Sequence, residues 1–176
     1  MSILRPVAVF VCALGGLSVL LPSVRAAERR EPVVTPDAAA RVQAVVDSLR
    51  DRLGLAEAVA VSLLPEVALV VSVEAPASDE RIYRLAMEAE FFASLAPDEL
   101  EAAVAHELGH VWVFTHHPYL QTERLANQIA MRVVSRDSLA RLYRKMWAHD
   151  SSTFGDLDAL LGPVASVQRV SCAAEC

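Results

Sequence analysis

The sequence predicts an α+β fold, mostly helical, with a small antiparallel β-sheet packed over one central helix. Three observations predict it. Apolar residues recur at spacings of three and four through most of residues 37–150. Runs rich in β-branched residues are confined to 59–73 and 81–85. Pro or Gly stands at the joints between these segments. In chain order, Thr35 can cap a first helix in which Val42, Val45, Val46, Leu49 and Leu53 form one stripe, and Gly54 ends it. Val59 to Leu64 and Val67 to Val73 flank Pro65-Glu66 and read as an antiparallel hairpin, to which Arg81 to Leu85 adds a third strand. Met87 to Leu95 leads into the central helix. That helix opens at Pro97, carries Asp98 and Glu99 in its first turn, and repeats Leu100, Val104, Leu108 and Val111 on a buried face.

The central helix contains His106-Glu107-Leu108-Gly109-His110. Four residues turn an α-helix through about 400°, so the two imidazoles of an H-E-x-x-H string stand one turn apart on one face, able to share a metal ion. The carboxylate between them can take a proton from water that the metal has activated, which is the chemistry of a zinc hydrolase. The competing reading is a pair of core histidines, but it would leave Glu107 as an unpaired buried charge.

Two histidines leave a zinc site one protein ligand short. His116 stands ten residues after His106, a spacing that needs a glycine at position 113 to turn the chain, and Val113 is there instead. Glu123 is the better candidate. His117 precedes Pro118, which ends the first helix, and a second helix is expected from Leu120 to about Val134. On it Glu123, Ala126, Asn127 and Ala130 share a face, small enough at the alanines to pack closely on the first helix. Asn127 can accept a hydrogen bond from the outer N–H of a ligand imidazole, or be a solvated amide. For a developing oxyanion, His116, His117, Tyr119, Tyr143 and His149 are all chemically able donors. His117 and Tyr119 are favoured because they lie between the two motif helices.

On these residues the chain resembles the gluzincin endopeptidases of the HtpX and CAAX-prenyl-protease kind, whose pattern is an H-E-x-x-H helix followed by a helix carrying E-x-x-A-D. The matching stretches are residues 98–110 and Glu123-Arg124-Leu125-Ala126-Asn127. The resemblance implies one Zn2+ at His106, His110 and Glu123, with Glu107 as general base in peptide-bond hydrolysis. It also implies a sheet edge over the metal that receives an extended peptide by strand addition. A purely structural hairpin is the competing reading of that edge. The chain departs from the pattern in having Asn127 for the usual aspartate and only thirteen residues between His110 and Glu123. A zinc-binding, catalytically weak or inactive chaperone-like module is therefore the alternative function.

After the second motif helix, Ser135 or Asp137 can start another, with Leu139, Leu142, Tyr143, Met146 and Trp147 inward. A short helical piece at Leu157 to Leu161 lies in an otherwise loop-like end. At the amino terminus, Arg5, the apolar run Val7 to Leu21 and the small residues of Val24-Arg25-Ala26 read as a secretory signal peptide over 1–26. The run is short for a bilayer span of about 20 residues, so an uncleaved signal anchor is the lesser alternative, and no stable membrane insertion is expected after cleavage. A linker (27–36), one metallopeptidase domain (37–150) and a C-terminal tail (151–176) follow, and the mature protein is expected in the periplasm or secreted.

Sixteen Lys and Arg against 22 Asp and Glu give a formal charge of −6, and loss of Arg5 and Arg25 with the signal takes it to −8. That balance excludes nucleic acid and leaves a peptide or protein as the expected partner. In an oxidising compartment Cys172 and Cys176 can form a disulfide if the tail is helical, with pairing to another chain, free thiols or a metal role as the other possibilities.

Overall fold

The computed structural model describes residues 36–77, 80–149 and 155–163. The signal peptide, nearly all of the linker, Thr35, Cys172 and Cys176 lie outside them. Among the described residues nine elements follow in order: α1 (Pro36–Leu53), β1 (Ala58–Leu64), β2 (Val71–Glu74), β3 (Ile82–Glu88), α2 (Ala89–Ser94), α3 (Pro97–His116), α4 (Glu123–Ala130), α5 (Arg136–His149) and α6 (Leu157–Leu161). The fold is α+β and mostly helical, with one three-stranded mixed sheet. Among the described residues no helix is long and apolar enough to cross a membrane.

Helix α3 is the axis of the molecule. It packs against α1, α4, α5 and β2, and Leu100, Val104, Leu108 and Val111 are buried as expected. Burial extends well beyond that stripe, to Ala102, Ala103, Ala105, His106, Glu107 and Val113. The alanines make this possible, because a helix surrounded on several sides needs short side chains for its neighbours to approach. Glu99 reaches back to accept the Ala96 N–H (2.8 Å), securing the first turn beside Pro97. At the other end of the fold's first helix, Gly54 adopts φ +69°. The N–H groups of Gly54 and Leu55 close on the carbonyls of Asp51 and Arg50, and buried Leu55 seals the cap.

The sheet corrects the expected hairpin. β3 lies in the middle, parallel to β1 and antiparallel to β2, so β1 and β2 do not pair. Pro65-Glu66 has no glycine or asparagine to form a tight hairpin turn, and the 65–70 connection is long enough to step over one strand. The central place goes to the strand whose alternate residues, Tyr83, Leu85 and Met87, are all buried. The two sheet edges differ. Along β1, Gln43 of α1 donates its amide to Val59 O (3.0 Å) and accepts the Val61 N–H (3.1 Å), occupying the edge as a strand would. Along β2 the edge borders a cleft.

The second motif helix is also shorter than expected. α4 begins at Glu123, where Thr122 accepts the Leu125 N–H (3.2 Å), and ends at Ala130. Residues 117–122 turn the chain before it, because the six positions after α3 must reverse direction rather than start a new helix at Leu120. Ser135 caps α5 by accepting the Ser138 N–H, and Asp156 caps α6.

α5 is tied to the start of α3 by charge. Arg141 and Ser138 reach Asp98, and Lys145 reaches Glu99 and the Ser94 carbonyl. Burial pushes Glu99 up, but the Lys145 ammonium and the Ala96 N–H outweigh it and hold the carboxyl below its ordinary range. A carboxyl lowered in the folded state adds stability above its unfolded value near 4.3 and loses it as pH falls through the folded value. Lys145→Ala should therefore cost about 1–3 kcal/mol at neutral pH. Urea unfolding at stepped pH should show that deficit narrowing below about pH 4, where Glu99 takes up a proton in either protein. A deficit independent of pH would exclude the ion pair as its cause.

Candidate metal centre

Helix α3 presents His106 and His110 one turn apart, and α4 brings Glu123 to them from its first residue. Glu123 straddles the pair, with Oε2 3.1 Å from His106 Nε2 and Oε1 3.4 Å from His110 Nε2. The two Nε2 atoms are themselves 3.3 Å apart, with the rings edge to face. One ligand atom from each residue lies within 4.8 Å of the others, a group able to hold a metal ion. The imidazoles hold the Glu123 carboxyl well below the usual carboxylate range. Burial opposes a charge on His106, but Glu123, Glu107 and Asn127 together raise its pKa. Protons and a cation thus compete for one set of donors.

A glycine permits this approach. A Cβ on Gly109 would lie 2.3 Å from the Ala126 carbonyl oxygen, so no larger residue fits at the α3–α4 crossing. Asn127, one turn after Glu123, is fully buried. Its Nδ2 donates to Tyr143 Oη (2.8 Å) and to the Leu160 carbonyl (3.3 Å), and a carbonyl only accepts. Asn127 Oδ1 must then face His106 Nδ1, 2.9 Å away, which places the ring hydrogen there and leaves the Nε2 lone pair towards Glu123 and His110.

Glu107 is 4% exposed. Burial pushes its carboxyl up against the pull of His106 and His110, and the Val73 N–H of β2 reaches it. Tyr143, from α5, stands edge-on to His106. Its hydroxyl accepts from Asn127, so its own hydrogen is free for another acceptor, and burial keeps the phenol protonated far above the ordinary range. These groups line a cleft of about 620 Å³.

The other sequence candidates go elsewhere. α3 continues through position 113, so His116 turns away and stacks on Trp112 (centroids 4.1 Å apart, 5° between planes). His117 is exposed with its ring near Trp112, and Tyr119 is 98% exposed. Neither His117 nor Tyr119, the favoured oxyanion donors, borders the cleft, because the 117–122 turn carries both outward. His149 does border it, paired with Glu88 at 2.8 Å. Sequence reasoning passed over Gly109, Glu88 and the Val73 N–H. Only Gly109 carried a usable signal, as a lone glycine inside a strong helix that is followed by a helix bearing the small residues Ala126 and Ala130.

No family model matches the chain, and no curated protein matches it. Among solved structures it is similar to the metallopeptidase zymogen abylysin of Pyrococcus abyssi, at 13% identity and a TM-score of 0.47, over 65% of this chain and 99% of that one.

Gly109→Ala tests the crossing. The added methyl must push α4 away, so the variant should lose about 1–3 kcal/mol of stability and bind a divalent cation more weakly. Thermal unfolding and metal titration would register both; unchanged metal affinity would mean that the close approach does not position Glu123.

Proposed function

We propose that this protein is a zinc-dependent endopeptidase of gluzincin type, exported by an N-terminal signal and acting on extended peptide segments. The convergence of His106, His110 and Glu123 carries the reading. Their contacts of 3.1, 3.4 and 3.3 Å match the edge of about 3.3 Å expected between ligands of a tetrahedral ion with bonds near 2.0 Å. Two imidazoles and one carboxylate are also the donor set of a catalytic rather than a structural zinc site. Zinc held there supplies Lewis acidity and lets water act as a nucleophile near neutral pH.

The protein's own groups would do the rest. Glu107, oriented by the Val73 N–H, takes the proton from the attacking water and delivers it to the leaving amine. Its burial favours the protonated form it must reach midway. Tyr143 has the free hydrogen and the place in the cleft to donate to the developing oxyanion. Asn127 keeps His106 in the tautomer whose Nε2 can bind. As a neutral amide with all three contacts made, it performs this task without the charge of an aspartate.

The β2 edge supports an extended substrate. Val70 O accepts the Glu88 N–H, so by strand alternation Val70, Ser72 and Glu74 face β3 while Val71 and Val73 turn their backbone groups outward. Val73 gives its N–H to Glu107, and the N–H and C=O of Val71 face the cleft, ready to pair with a peptide.

Metal analysis and peptide cleavage by the mature protein test the reading. Bound zinc in one-to-one ratio and hydrolysis of unfolded protein are expected. Glu107→Ala should lower kcat about 10²- to 10⁴-fold, and Tyr143→Phe about 10²-fold, with zinc retained in both. Glu123→Ala should lose the metal. Zinc without any turnover would favour the inactive binding module, and full activity in Glu107→Ala would remove the mechanism.

A further inference from the structure

The cleft holds one carboxylate–imidazole pair that hydrolysis does not use. Glu88 ends β3, and His149 ends α5. Imidazole Nε2 stands 2.8 Å from Glu88 Oε2, and both side chains are only about a quarter exposed or less, at 20% for Glu88 and 26% for His149. No described residue donates to Glu88 Oε1. The cleft lining contains three carboxylates, those of Glu88, Glu107 and Glu123, and among the described residues no Lys or Arg. Two of the three are committed to the metal chemistry proposed above. The third, Glu88, lines the cleft together with Val70, Met146 and Trp147.

Its position along the cleft follows from the backbone. The Glu88 N–H bonds Val70 O, while the Val73 N–H reaches Glu107. Three residues of strand separate these anchors, or about 10 Å at 3.3 Å per residue. A peptide paired with the outer edge of β2 therefore comes level with Glu88 about three residues from the bond at Glu107, with β2 between them, a gap of two strand spacings or about 10 Å that only a long side chain spans. The lining continues past Val70 to Val67, so the cleft does not close at Glu88, and the group met there belongs to the interior of a peptide rather than to its terminus.

We propose that Glu88, held by His149, forms a subsite for a Lys or Arg side chain about three residues from the scissile bond, making cationic extended peptides the favoured substrates. This rests on the reading of the cleft as a peptidase site. The aliphatic stem of such a side chain can lie along Met146 and Val70 while its cation reaches Oε1, which suits a long basic residue better than a short polar one. The overall excess of acid over base in the chain draws the same ligands from a distance.

The test is peptide binding to zinc-loaded Glu107→Gln protein. The peptides are N-acetylated and C-amidated, identical except for Lys, Gln or Glu moved through successive positions, with the scissile bond mapped on the active protein. Fluorescence anisotropy should show the Lys peptide binding about fivefold tighter than the Gln peptide at one position, the Glu peptide weaker still, and the difference shrinking at high salt. Adding Glu88→Gln should bring Lys and Gln peptides level, and Glu88→Lys should reverse the order. Should either variant fail to fold, the charge series and its salt dependence in the Glu88 protein decide alone. Equal affinity for Lys and Gln peptides, or a preference that survives Glu88→Gln, overturns the subsite. Binding or cleavage indifferent to charge removes this inference only, whereas a protein that takes up no zinc and no peptide removes the peptidase reading with it.

Discussion

The close crossing of α3 and α4 is the contact on which the site depends. Backbone meets backbone at Gly109 and Ala126, with no room for a side chain at that point of α3. Only at such a distance can the first residue of α4 reach two imidazoles on α3. Once the helices touch there, the α-helical repeat does the rest. Glu123 falls over the Nε2 atoms and Asn127, one turn later, falls behind His106. The small residues Ala126 and Ala130 extend the contact, and Thr122 starts α4 at the position where its first carboxylate is delivered. Packing and capping thus place the site's carboxylate, rather than a long flexible side chain reaching across a gap.

Such a site puts polar groups where burial is expensive, and the surrounding structure satisfies them one by one. Asn127 is completely buried yet has three partners. Tyr143 turns the far end of that chain of contacts towards the cleft, so α5 is part of the site and not only of the core. The charged clamp of Asp98 and Glu99 with Arg141 and Lys145 fixes α5 against α3 from the opposite end. That clamp holds Tyr143 and His149 at the cleft, since both stand on α5.

The sheet adds direction. Its β1 edge is occupied by Gln43, and its β2 edge is turned to the cleft beside Glu107. A sheet normally protects both edges from pairing, so one covered and one open edge distinguishes them. The central place of β3 links this edge to the second charged position, because its last residue, Glu88, is hydrogen-bonded to the β2 side and paired with α5.

The sequence by itself determined the helices and the meeting of His106, His110 and Glu123. Periodicity places α1, α3, α5 and α6 within a residue or two, and the imidazole spacing of four is a property of one helix that needs no tertiary information. Glu123 and Asn127 were legible for the same reason, since both lie on one short face with the alanines. Strand order was not, because pairing is decided between segments distant in the chain, and Pro65-Glu66 marks a bend without saying which strand comes next to which. The places of Tyr143, Glu88 and the Val73 N–H beside the cleft were equally hidden. Sequence proximity pointed to His117 and Tyr119, but the turn that ends α3 throws those side chains outward, while a phenol sixteen residues beyond Asn127 returns on another helix. Local spacing fixes what one helix presents, and only the packing of helix on helix and strand on strand decides which groups from elsewhere meet it.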